Sequence, residues 1–118
     1  MTNYDLGRKG EDAAAKYLEG LGYLILARNQ RSRHHEFDII AKSEQETVFF
    51  EVKTRDAAKG DPAIDALGRR QIKGIKYGMS EYAYQHRLSL ESLRLDFIAI
   101  DCFLDKQRAE LRHYQDVC

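Results

Sequence analysis

Cysteine is scarce in this chain: Cys102 and Cys118 are the only two. Two thiols are too few for a disulfide scaffold or a cysteine-held zinc site, so a reduced, cytoplasmic setting is expected. Long hydrophobic runs are missing as well. The N-terminus, MTNYDLGRKGED, has no apolar signal segment, and no stretch approaches membrane-spanning length, so no membrane partner is expected. Neither charge is in excess, because 19 Lys and Arg balance 19 Asp and Glu. Bulk charge therefore makes no case for a nucleic-acid partner. Proline occurs once, at Pro62, and no internal repeat or low-complexity tract is present. The length of 118 residues predicts a single domain, 1–118, with one compact core.

What is present reads as alternating helix and strand. Residues 5–20 predict a helix, with Asp5 as N-cap, Ala13, Ala14, Ala15, Tyr17 and Leu18 as helix formers, and Gly20 and Gly22 at its end. YLILA (23–27) predicts a short strand, and RNQRSRHH (28–35) a polar, basic connector. Strands follow near 36–41 and 47–54, then a loop, RDAAKGDPAIDALG, in which Pro62 could start a helical turn. Ile72, Ile75, Met79, Tyr82, Ala83 and His86 recur at helical spacing, predicting a second helix over 69–86. LRLDFIAID (93–101) predicts another strand and AELRHY a last one. The order α-β-β-β-α-β implies an α/β fold, a mixed sheet covered by helices.

The stretch HEFDIIAKSEQETVFFEVKTR (35–55) stands out, because its two apolar runs carry carboxylates where a buried strand should be aliphatic. A turn centred between Glu44 and Gln45 pairs residues whose numbers sum to 89, so Ile40 meets Phe49, Asp38 meets Glu51, and Glu36 meets Lys53. Alternation puts Glu36, Asp38 and Ile40 on one face with Phe49, Glu51 and Lys53, and leaves Phe37, Ile39, Val48, Phe50 and Val52 on the other. Two carboxylates then confront each other beside an ammonium, a destabilising arrangement that partial burial makes worse. Three remedies exist: one carboxylate stays protonated, Lys53 neutralises the pair, or a divalent cation sits between them. Hard cations such as Mg²⁺ or Mn²⁺ take oxygen ligands, so two carboxylates and a carbonyl suffice. On the first helix Glu11 falls on the apolar stripe with Ala14, Ala15 and Leu18, beside Gly7 and Gly10. Its partner is either whatever Asp38 and Glu51 share, or Arg8 or Lys16 at the helix edge.

GRKGEDAAAKYLEGLGYLILARNQR, EFDIIA and VFFEVKTR together resemble the YraN-like family of small uncharacterised bacterial proteins. That family is similar to archaeal Holliday-junction resolvases within the PD-(D/E)XK, or restriction-endonuclease-like, nuclease superfamily. The resemblance runs from about Asp5 to Asp101 and implies an αβββαβ core with a mixed sheet flanked by helices. It also implies roles: Asp38 and Glu51 as metal ligands with the Val52 carbonyl, Lys53 as the catalytic lysine, and Glu11 completing the site directly or through water. A divalent-metal-dependent endonuclease acting on DNA, branched or structured, is the activity implied; a catalytically silent nucleic-acid-binding or adaptor module with the same fold is the alternative. A homodimer is implied by analogy, since resolvases cut two strands. The chain departs from the family at His35, where Gly is usual; the larger side chain either restricts the site mouth or adds a phosphate donor. Gln71 stands where the second helix commonly has Lys; related nucleases use Gln or Lys at this place, so the resemblance implies Gln71 as a further catalytic candidate facing the site.

Charge placement adds a surface. Residues 28–76 hold eleven Lys or Arg against eight Asp or Glu. Arg31 and Arg33 precede the first site strand, Arg55 follows the second, and Arg69, Lys73 and Lys76 fall on one side of the second helix. Such a stripe can hold phosphates without reading sequence. His34 and His35 near Glu36 and Asp38 hint at a transition-metal site, but adjacent loop histidines point in different directions. Tyr77, Tyr82 and Tyr84 read as core or interface, and Cys102 as a buried small hydrophobe at a strand end.

Overall fold

Thr2, not Asp5, caps the first helix, α1 (Asn3–Gly20). The Asp5 N–H donates to Thr2 Oγ1 at 3.1 Å and the Thr2 N–H to Asp5 Oδ2 at 3.2 Å, a capping box in which Asp5 is the reciprocal partner. The helix closes at Leu21 and Gly22, whose φ is +97°. These details come from a computed structural model, which describes residues 2–59 and 69–117. The expected turn at Pro62 lies outside the described residues.

Among the described residues five strands follow: β1 (Leu24–Arg31), β2 (Glu36–Ser43), β3 (Glu46–Asp56), β4 (Leu93–Phe103) and β5 (Arg108–Tyr114), with α2 (Arg69–His86) between β3 and β4. They form one sheet in the order β1-β2-β3-β4-β5. Only β3 and β4 run parallel, and a parallel pair requires a crossover of the kind that α2 supplies. The described residues therefore form a mixed α/β fold with two α-helices, compatible with an αβββαβ nuclease-like core. β1 runs four residues past the expected strand, through Arg28–Arg31, which are polar because β1 lies at the sheet edge. AELRHY does form the last strand.

The sheet has a core on each face. Ala14, Ala15 and Leu18 of α1 pack on Ile39, Ala41, Val48, Phe50, Val52, Ile98 and Ile100. Ile75 and Met79 of α2 pack on Phe37, Ile40, Phe49 and Leu95. Burying side chains of this size contributes roughly 1.5–3 kcal/mol each. Gly10 lets α1 lie close on β3: a Cβ there would stand 1.7 Å from Thr54 Oγ1. That close approach holds Glu11, the next residue, over the same end of the sheet. Among the described residues no helix is long and apolar enough to cross a membrane.

Candidate functional site

The β2–β3 ladder keeps the expected register, from Ser43–Glu46 through Ile40–Phe49 to Ile39–Phe50, and ends there. β1 stays paired with β2 down to Arg31–Glu36, while β3 continues beside β4 to Asp56. The two central strands thus part at Asp38. The expected alternation breaks at the same point: Phe37 packs with Ile40 and Phe49 on the α2 side, not with Ile39. Its ring centroid lies 4.8 Å from that of Phe49. A strand freed from its ladder partner is free to turn a side chain over, and here burial of a phenyl ring decides the direction.

The parting creates the site. The Val52 N–H donates to Asp38 Oδ2 at 2.8 Å, so a carboxylate takes the place of the absent ladder carbonyl. A strand residue points its N–H and C=O to the same side, so the Val52 carbonyl opens on the same gap. Burial, then the charge of Glu51, pushes the Asp38 carboxyl up to about 7; the Val52 hydrogen bond and Lys53 oppose this without overcoming it. Glu51 is only 5% exposed and its Oε1 contacts His35 Nε2. The hydrogen bond to Glu51 raises the His35 imidazole above 6.5, although burial opposes. Lys53 is exposed.

Glu11 is half-buried, and burial raises its carboxyl; Arg28 and the Asn29 side chain counter that rise in part. It lines an open cleft of about 570 Å³ with Gly7, Arg28, Asn29 and Glu36. Glu11 therefore takes Arg28 and Asn29 of β1 as partners, shares the cleft and its charge with Arg8 of its own helix, and reaches Asp38 through its charge. Among the described residues no three His, Cys, Asp or Glu side chains are grouped to hold a metal ion. The donor set nonetheless suits a hard divalent cation: a carboxylate whose pKa burial and its neighbour Glu51 push up to about 7, that second carboxylate, and a backbone carbonyl. His35 is the competitor, because it occupies a Glu51 oxygen that a cation would take.

The basic residues are more dispersed. Arg31 is exposed and stands 4.0 Å from Glu36; Arg33 is exposed, and its backbone N–H donates to Glu81 Oε1 at 3.3 Å. Arg55 Nη2 donates to the Lys59 carbonyl at 3.0 Å. Lys73 and Lys76 are exposed on α2, Gln71 is half-buried in its first turn, and Arg69 is its first residue. Tyr82 packs edge-on against Phe49, as a core reading expects, but Tyr77 and Tyr84 are 57% and 87% exposed. Cys102 is only half-buried. The sequence flagged His35 as a departure and as half of a histidine pair, not as a partner of Glu51, and it offered no signal for Asn29, whose φ of +53° sits opposite the break in β2. His34 and His35 do diverge, one towards Tyr77 and the other towards Glu51.

The model of the Uncharacterised protein family UPF0102 matches residues 10–100. A UPF0102 protein of Carboxydothermus hydrogenoformans is 34% identical over 118 residues, covering 99% of this chain and 98% of the relative. One of Flavobacterium psychrophilum is 33% identical over 95% and 92% of the two chains, and one of Chlorobium limicola is 42% identical over 82% and 75%.

Proposed function

The chain belongs to the UPF0102 family, and on that premise we propose that it is a divalent-metal-dependent endonuclease acting on DNA, with branched or structured DNA as the preferred form. The observation that carries the reading is Asp38, held near neutrality by burial and by Glu51 where β2 and β3 part. Perturbed carboxylates of this kind concentrate at working sites. Asp38, Glu51 and the Val52 carbonyl would hold Mg²⁺ or Mn²⁺, which when bound lowers the pKa of water and offsets phosphate charge. Lys53, exposed beside them, places an ammonium against the phosphate oxygens that gain charge as water attacks phosphorus and the P–O bond to the departing sugar oxygen breaks. Glu11 adds negative charge from the α1 side. Arg31, Arg33, Arg55, Arg69, Lys73 and Lys76 would hold the backbone, giving binding that weakens steeply with salt. The proposed setting is the cytoplasm and the working form a homodimer, which brings two sites to two strands.

A second reading has its own observation. The His35–Glu51 contact occupies a ligand oxygen, which favours a silent nucleic-acid-binding or adaptor module. Incubating wild type, Glu51→Ala and Lys53→Ala with branched and linear DNA in Mg²⁺ or Mn²⁺ separates the two. Cleavage by wild type alone supports the nuclease. Equal cleavage by all three points to a contaminant, and salt-sensitive retention without cleavage leaves the silent module.

A further inference from the structure

We propose that His34 and Tyr77 form a stacking platform for an unpaired nucleobase beside the candidate cleavage site. The inference rests on the nucleic-acid reading above and deepens it by naming the substrate class: a single-stranded segment, flap or branch. The two rings lie 5.3 Å apart at 38°, and Tyr77 keeps 57% of its surface open to solvent. His34 is exposed as well. An exposed aromatic pair is an unusual use of a helix face unless something covers it.

The pair is held in place before any ligand arrives. Ser32 Oγ donates to the His35 carbonyl at 2.7 Å and accepts the His35 N–H at 3.1 Å, which ties the β1–β2 turn into a compact loop. The loop seats on α2 at Gly78, where a Cβ would stand 2.9 Å from the Phe37 ring and 3.0 Å from Ser32 Oγ. The Arg33 N–H donates to Glu81 from the same loop. His34 is thereby fixed next to His35, the residue that touches Glu51. The surroundings carry the complementary charge: Lys73 lies one helical turn before Tyr77, and Lys76, Arg31 and Arg33 are exposed nearby in the chain. Tyr84, two turns further along α2, continues the exposed aromatic stripe.

Cations interleaved with open aromatic faces suit a nucleic-acid strand better than an apolar protein surface. Bases inside a duplex stack on one another and offer no free face, so only a splayed or unpaired base can use the platform.

The test is binding in EDTA, so that cleavage plays no part. A single strand of about a dozen nucleotides containing 2-aminopurine is compared with the blunt duplex of the same sequence, for wild type, Tyr77→Ala, Tyr77→Phe and His34→Ala. Wild type should quench the probe on the single strand. Tyr77→Ala should bind it about tenfold more weakly, with duplex affinity nearly unchanged and Tyr77→Phe close to wild type. Wild-type affinity in Tyr77→Ala, or equal losses on both substrates, overturns the platform alone. A Tyr77→Ala that instead loses dimerisation and keeps strand binding also overturns it, in favour of a protein contact. Wild type that retains no nucleic acid removes both the platform and the reading beneath it.

Discussion

Asp38 and Asp96 are both carboxylates withdrawn from water on strands of one sheet, yet their surroundings are opposite. Asp96 is fully buried and accepts four hydrogen bonds: from Arg94 Nε and Nη2 at 2.8 and 2.9 Å, His113 Nε2 at 2.7 Å, and the Asp116 N–H at 3.0 Å. Arg94 is bonded in turn to Glu46 and Tyr23, and His113 to Tyr17 of α1. Burial alone would raise the Asp96 pKa, but the bonds from His113, Arg94 and Asp116 outweigh it and leave the carboxyl below its ordinary range. Asp38 has one backbone N–H and a second carboxylate for company, and it rises to about 7. A carboxylate with all its oxygens paired is a structural strap joining β4, β5 and α1. One left short of cations is a site waiting for charge.

Removing a strap should cost more than relieving a crowded site. Asp96→Ala leaves Arg94 and His113 facing an empty pocket, and urea denaturation should show a loss of about 3–5 kcal/mol. A loss under about 1 kcal/mol would erase the contrast. At the other site, saturating Mn²⁺ should stabilise wild type by about 3 kcal/mol once its concentration is a hundredfold above Kd, and leave Asp38→Asn unmoved. An identical thermal shift in the variant would place the ion elsewhere.

The pH dependences have opposite signs. Asp96 sits below its ordinary value, so it stabilises the fold above the unfolded carboxyl pKa of about 4 and loses that effect as pH falls through its folded value. Asp38 is raised from 3.8 to about 7, so its ionisation opposes folding increasingly across that interval and fully above it. In EDTA at pH 8, Asp38→Asn should therefore be more stable than wild type by up to about 4 kcal/mol, with the gain gone at pH 4. A variant less stable than wild type at pH 8 would mean that the Asp38 charge is already compensated. The smallest effect belongs to the rim of the strap: Tyr17→Phe removes one hydroxyl from His113 and should cost about 1 kcal/mol in the same denaturation assay.

Among the described residues both α-helices and all the strands but β1 were legible from local patterns. The hairpin register was legible too, because a two-residue turn with Glu44 at φ +52° determines the pairs that follow. β1 was misjudged beyond Ala27, since an edge strand with polar side chains shows no apolar alternation. The site was legible in its residue types and hidden in its contacts. Asp38 and Glu51 belong to paired strands, so spacing could place them together. His35 and Glu51, by contrast, meet only because β2 peels away from β3 and frees the chain before Asp38. The Asp96 strap left no trace, since Tyr17, Asp96 and His113 come from segments far apart in the chain.

By itself, the order of residues determined the elements, the hairpin pairing and the family, because periodicity, turn chemistry and motif spacing are properties of neighbouring residues. Only the tertiary structure decided which carboxylate is satisfied and which is not. Desolvation and charge pairing depend on what other segments bring to a group, and in this fold β5 brings a histidine to Asp96, beside its strand neighbour Arg94, while β3 brings another carboxylate to Asp38.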